Sequence, residues 1–412
     1  MTTTKESAAS SPSWLQRADR SLRDEFRRAQ ERHPKVASIY RAVVQRAILV
    51  IALLAVVRGL WDGVDIPLFD FDRFLRAGDR MLSSDWQLTY SEPRLQAGPL
   101  LLLLYGVSLR LADLVGLAAQ FSLSVIVQVL VAVGVVLCVR ALRADRGAAA
   151  APGIEFFAGL AAVLGGLTWE AYASAHPSEA LIPLLWLPAA LLARRGRTTT
   201  AALLIGLSAT LKLWGILGLP VLLLAPNLLQ AGWAIALAGV VAIVPYAPFL
   251  LFGETATFGY AWGIQPDSPL GLFFREREGF TWAMRIGQSA MVLAGGGVFA
   301  WRRRSAWTSI WAAPLVLLAI RFLTEPLDYH YYWLAPGILV LVAACAHLDP
   351  RPTWLRVPIA GAFYAILASF FFVELQLESV WWIVLSLALL LVAHRATQEE
   401  REAGDAAAGS HT

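Results

Sequence analysis

Apolar runs of roughly 17–25 residues recur along this chain from Gln45 to Ala393, each the length a helix needs to cross the hydrocarbon core of a bilayer. Inside lipid every backbone N–H and C=O must find its partner within the protein, so runs of this kind fold as helices. The expected fold class is therefore an all-α polytopic membrane protein. Composition agrees: 58% of the 412 residues are hydrophobic and 16% charged, which excludes an ordinary soluble enzyme. Residues 1–42 read as a basic cytosolic tail with an amphipathic helix around 14–28. Residues 43–394 form the transmembrane domain, and 395–412, rich in Ala, Glu and Gly, read as a disordered cytosolic tail. Cys138 and Cys345 lie inside apolar runs and read as small core residues, without a disulfide framework. The net charge of +4 comes from Arg clusters at the ends of runs, so no nucleic-acid partner is inferred.

Those clusters set an expected orientation, because Lys and Arg concentrate in cytoplasmic loops. With the N-terminus inside, about twelve crossings place Arg140–Arg146, Arg194–Arg197, Arg302–Arg304 and Arg351–Arg356 on the cytoplasmic side. Residues 61–119 then make a long first extracytoplasmic loop, and 252–280 a second. The run 98–117 contains Arg110 and Asp113, and a full crossing there would push Arg140, Arg143 and Arg146 outside. It is read as an interfacial or re-entrant helix belonging to the loop.

Under this topology the charges that orientation does not explain gather outside: Asp70, Asp72, Glu170, His176, Glu179, Lys212, Arg321, Glu325, Asp328 and His330. Ionisable groups at membrane depth are costly and mark functional sites by default. Asp70 and Asp72 are the candidate catalytic carboxylates, competing for the role of general base, with Arg73 and Arg76 as the structural alternative partners. Phe69 and Phe71 flank Asp70, so its carboxyl is expected to be desolvated and raised in pKa. The cytoplasmic loops carry no Gly-rich phosphate loop, which places any chemistry outside, where a donor must arrive on a lipid carrier. Lys212, Arg321 and His330 are the candidate binders of a lipid phosphate. Trp214, Tyr329 and Tyr332 offer stacking faces for sugar rings, although interfacial aromatics also serve as membrane-belt residues. His176 and Glu179 open a helix behind Pro177 and are added as substrate-binding candidates. No strong metal-ligand spacing is present, so neither metal nor cofactor is assigned.

The order of these pieces resembles the polytopic GT-C-fold glycosyltransferases, most closely the family-87 type of actinobacterial polyprenyl-phosphate-mannose-dependent mannosyltransferases. The likeness rests on four short segments spread over most of 43–393. They are Asp70-Phe71-Asp72-Arg73-Phe74 running on to Asp85-Trp86 and Tyr90, Gly98-Pro99-Leu100, Leu211-Lys212-Leu213-Trp214 before Leu219-Pro220, and Tyr329-His330-Tyr331-Tyr332 before Ala335-Pro336. The chain departs from the family where Gln96-Ala97-Gly98-Pro99 replaces a Tyr-Pro-Pro stretch and where Phe74 stands in place of Tyr. The resemblance implies inverting transfer, with Asp70 as general base and His330 on the donor phosphate.

The reading is thus a plasma-membrane glycosyltransferase with its active site facing the extracytoplasmic side. It would move a sugar, mannose by resemblance, from a polyprenyl-phosphate donor to a glycolipid or polysaccharide acceptor. The second reading is a transporter or flippase for a phosphate-bearing glycolipid.

Overall fold

The computed structural model describes residues 25, 28, 31–65, 67, 70–148, 150–266, 268–274, 279–327, 329–347 and 378–409. The protein is all-α over these residues, and no strand occurs among them beyond a single Trp262–Phe280 bridge. Among the described residues three segments are long and apolar enough to cross a membrane: Ala119–Asp145, Pro152–Ala173 and His330–His347. Helices α1 (Pro34–Gln45) and α2 (Ala47–Asp62) make a fourth if the pair, bent by 85°, counts as one span. Other apolar helices, including Thr198–Leu211 and Ser309–Leu323, are shorter than a straight crossing. The expected helix around 14–28 lies largely outside the described residues, as does the expected cytoplasmic cluster Arg351–Arg356.

The first long loop is itself helical. In α3 (Asp70–Met81) the buried residues Phe71, Phe74, Ala77 and Gly78 recur at helical spacing. Asp70 and Asp72 sit in its first turn and Arg80 in its last, the arrangement that the helix dipole favours. This face lies on α4 (Pro99–Val115), the run read from sequence as interfacial or re-entrant. Pro99 begins α4 where a missing N–H costs nothing, and Gly116, with φ +71°, ends it. The two helices touch backbone to backbone, because a Cβ on Gly78 would lie 2.5 Å from the carbonyl oxygen of Leu102 and 2.6 Å from the nitrogen of Gly106.

Behind this pair stands α5 (Ala119–Asp145), which packs along α2 and against α6 (Pro152–Leu164). A left-handed Gly166 separates α6 from the short α7 (Leu167–Ala173). Helix α8 (Pro177–Arg194) then runs through the middle, against α5, α9 (Thr198–Leu211) and α14 (Leu334–His347). After α9 the chain is broken at Lys212 and continues as a 3-10 helix, Leu213–Leu224. The buried Trp186 indole fixes that break by donating to Ser208 Oγ and to the carbonyl of Gly215, each at 3.1 Å. Helices α10 (Leu228–Ile243), α11 (Ala247–Phe252), α12 (Trp282–Arg303) and α13 (Ser309–Leu323) complete the bundle with α15 (Glu378–Gly409).

The C-terminal segment corrects one expectation. Residues 395–409 are helical rather than disordered. Their anchor is tertiary: Glu400 accepts hydrogen bonds from the backbone N–H of Trp307 and Thr308, at 2.6 and 2.8 Å, just ahead of α13. The Arg-rich turns meet at this same end, where Arg194 donates to the carbonyls of Arg304, Ser305 and Ala306 and Arg195 pairs with Asp145.

Because α3 carries Asp70 and has no room at Gly78, Gly78→Ala should separate α3 from α4. Overpacking of this kind costs about 1–3 kcal/mol. A clear fall in the thermal midpoint of the purified protein is expected, and an unchanged midpoint would show that the backbone contact is dispensable.

Candidate functional site

The ends of the elements opposite that Arg-rich face enclose a cavity of about 640 Å³. Its wall includes Asp70, Arg73 and Arg94 from the first loop, His176 and Lys212 from the turns beside α8 and α9, Arg285 and Arg321 from α12 and α13, and Tyr329 to Tyr332. The lining also includes the apolar side chains of Leu213, Ile216, Leu217, Phe249 and Leu250. A cap of Tyr260, Trp262 and Trp282 comes from the second long loop and the start of α12; the Trp262 and Trp282 rings lie 5.1 Å apart in an edge-on arrangement.

Asp70 is held by two partners. Its Oδ2 lies 3.1 Å from Nε2 of His176, and its Oδ1 pairs with Arg73, which also pairs with Glu92. His176 is buried, edge-on to Phe74 and 4.3 Å from the Tyr331 ring in a tilted stack. Burial alone would push the Asp70 carboxyl up, but the hydrogen bond from His176 and the charges of Arg73 and Lys212 hold it below its ordinary value. That reverses the expectation that flanking phenylalanines would raise it. Burial, reinforced by the charge of Lys212, pushes His176 below its ordinary value against the opposing pull of Asp70 and Glu179. The pair is therefore a carboxylate facing a neutral imidazole whose Nε2–H donates, while the buried Nδ1 has no hydrogen-bond partner among the described residues. Asp72 sits on the exposed side of α3 and does not line the cavity.

A second array lies behind the wall. Glu179, with no exposed surface, accepts from Lys212 Nζ at 2.9 Å and Trp214 Nε1 at 3.0 Å, and Arg321 approaches it at 3.4 Å. Arg321 continues to Glu325 at 3.5 Å, and Glu325, also fully buried, meets Arg285 at 2.8 Å. Charges alternate along Lys212, Glu179, Arg321, Glu325 and Arg285. The Arg321 guanidinium also lies over the rings of Trp214 and Tyr332, at 4.3 and 4.9 Å. Lys212 and Arg321 are thus matched by Glu179 rather than paired with His330. His330 instead places Nε2 3.1 Å from the buried Glu170 carboxylate and is half exposed at the rim.

The residues named from sequence as substrate-binding candidates lie at this end of the bundle: His176, Lys212, Trp214, Arg321, Tyr329, His330 and Tyr332 line the cavity, and Glu179 stands directly behind it. Asp328 lies outside the described residues. Sequence reasoning passed over Arg94 and Arg285, and gave Glu170 no partner; Arg285 was detectable as a lone cation one turn into an apolar helix. No group of three or more His, Cys, Asp or Glu side chains suited to a metal occurs among the described residues. A scan against protein-family models finds no match for this chain, and a search of curated proteins finds none either.

The depressed His176 makes stability pH-dependent. As pH falls through the ordinary value of 6.5, the unfolded chain binds a proton that the folded chain refuses. This contribution is complete above 6.5 and lost below it, whereas that of Asp70 is lost only below 3.8. The thermal midpoint should fall as pH drops below 6.5, with a shallower slope in His176→Gln. Parallel slopes in the two proteins would remove His176 from the account.

Proposed function

We propose that this protein is an integral membrane glycosyltransferase of the GT-C type that uses a polyprenyl-phosphate sugar donor. In this reading the chain crosses the bilayer about twelve times, α3 and α4 form an extracytoplasmic loop, and the cavity faces outward. The observation that carries the reading is an ionised carboxylate, Asp70, on the wall of a cavity whose other wall charges are cations and whose lining is in part apolar. A sugar phosphate on a long hydrocarbon tail needs those three properties: a base, cationic groups, and a greasy entrance continuous with lipid.

The acceptor hydroxyl oxygen attacks the anomeric carbon while its proton passes to Asp70. The bond from that carbon to the phosphate oxygen breaks, and its electron pair leaves with the polyprenyl phosphate. The cavity's cationic groups take up the developing charge, and His330 at the rim lies among them. Neutral His176 orients the carboxylate through its Nε2–H, and Asp70 on the cavity wall releases the proton to water before the next turnover. By the family resemblance the sugar is mannose, and the acceptor is a glycolipid or cell-envelope glycan.

Asp70→Asn keeps the size of the side chain but cannot accept a proton at neutral pH. The purified variant should fold and bind a polyprenyl-phosphate sugar while transfer falls roughly 100-fold or more. Near-normal transfer by Asp70→Asn would retire the base. A wild type that binds the donor and never releases polyprenyl phosphate would instead favour the carrier reading.

Orientation has its own test. A cysteine replacing Gln265 should react with a membrane-impermeant reagent on intact cells, and one replacing Arg303 should not. Equal labelling of both contradicts the proposed sidedness.

A further inference from the structure

Cations in the cavity wall differ in whether they are already matched. Lys212 and Arg321 share Glu179, Arg321 and Arg285 share Glu325, and Arg73 is divided between Asp70 and Glu92. These carboxylates stand next to the cations they neutralise, so a ligand anion would have to compete with them. Arg94 is the exception: it lines the cavity, is exposed, and its guanidinium makes no ion pair or hydrogen bond among the described residues. Its acidic neighbour Glu92, two residues away, is turned to Arg73 instead.

The backbone around Arg94 is fixed. Leu95 is buried, and its carbonyl accepts from Thr257 Oγ1 at 2.9 Å. Gln96 Nε2 donates to the same hydroxyl at 2.9 Å, and the N–H of Gly98 donates to the Leu211 carbonyl at 2.9 Å. Gly98 has no space for a side chain, since a Cβ there would lie 2.1 Å from the Thr210 carbonyl oxygen. The segment is thus tied to both the second long loop and the Lys212 break. The Asp70–Arg73–Glu92 chain links it to the proposed base. Tyr329 marks the shared space: burial raises its phenol, the charge of Asp70 adds to the rise, and that of Arg94 opposes it.

We infer that Arg94 is the anchoring cation for a phosphate group of the lipid ligand, held by its guanidinium at the mouth of the cavity on the Asp70 side. An unneutralised guanidinium on a pinned loop presents two parallel N–H donors to phosphate oxygens without first giving up a carboxylate. The matched cations then act as a fixed electrostatic background, strongest once water is displaced. The inference rests on the transferase reading for the identity of the ligand, but not for the presence of the site. Phosphate can enter on a polyprenyl carrier or on the headgroup of an acidic glycerophospholipid acceptor, and the chemistry at Arg94 is the same.

The test measures binding to purified full-length protein in nanodiscs of zwitterionic lipid, by native mass spectrometry or tryptophan fluorescence. The probes are undecaprenyl phosphate, uncharged undecaprenol and phosphatidylinositol, each added to wild type, Arg94→Ala and Arg94→Lys. Arg94→Ala should weaken a phosphate-bearing probe about tenfold or more and leave undecaprenol unchanged. Arg94→Lys, which keeps charge but loses the planar fork, should recover part of the loss. Selective loss of undecaprenyl phosphate assigns the site to the carrier, and selective loss of phosphatidylinositol assigns it to the acceptor. Equal weakening of undecaprenol, or no weakening of either phosphate probe while wild type binds them, overturns the role of Arg94 and leaves the transferase reading standing. Failure of the wild type to bind any phosphate probe overturns the transferase reading and this inference together.

Discussion

A carboxylate with no exposed surface, Glu179, is the point on which this site depends. Removing such a group from water costs several kcal/mol, and the cost is met only by close, well-directed partners. Here they come from three elements: Lys212 at the end of α9, Trp214 at the start of the 3-10 helix, and Arg321 in the last turn of α13. Loss of one partner of a buried pair is typically a loss of about 3–5 kcal/mol, because the other charge is left uncompensated. The arrangement therefore enforces the helix break at Lys212 and the depth of α13. The apolar packing around Trp186 and Gly218 shapes the same break from the other side, where a Cβ on Gly218 would lie 2.3 Å from the indole nitrogen.

From Glu179 the alternating charges extend through Arg321 and Glu325 to Arg285, and the aromatic rings of Trp214, Tyr332 and Trp262 cover the two arginines. Such a ladder needs no ligand to be stable, so its cations are poor first contacts for an incoming anion. Its effect is to fix wall positions and to set the local field. Lys212 illustrates the second effect: its charge helps to hold Asp70 ionised and to keep His176 neutral.

The sequence exposes this ladder only in part. Glu179, Lys212, Arg321 and Glu325 stand out because each interrupts an apolar run, where an ionisable side chain is conspicuous. The link that joins Glu179 to Arg321 does not, since these positions lie more than a hundred residues apart in chain order. Arg94 is hidden for the opposite reason: it lies in a polar loop, where charges are inexpensive and one more carries no signal. The amphipathic face of α3 is written in Phe71, Phe74, Ala77 and Gly78, and with it the separation of Asp70 from Asp72. The raised pKa expected of Asp70 fails because its flanking residues say nothing of His176, which arrives from more than a hundred positions away. The helical end of α15 was illegible for a similar reason, its cap on α13 being tertiary.

The corner between α7 and α8 connects these parts. Within ten residues it supplies Glu170 to His330, His176 to Asp70 and Glu179 to Lys212 and Arg321. Ala175, inside the corner, has φ +59°, a conformation that costs an L-residue about 1 kcal/mol or more. It is held there by a hydrogen bond from Tyr105 on α4 to its carbonyl, at 2.8 Å, and by one from its own N–H to Tyr172, at 2.9 Å. The turn sets His176 at the N-terminus of α8, where the positive end of the helix dipole also disfavours an imidazolium. Glu179 sits in the first turn of the same helix, where that dipole favours a carboxylate. A neutral histidine and an ionised glutamate three residues apart thus follow from one helix end. Because the Tyr105 that holds the corner also packs against Phe71 and Phe74, the helix bearing Asp70 and the corner bearing His176 share one aromatic support. The distance between carboxylate and imidazole is fixed by packing before any ligand arrives.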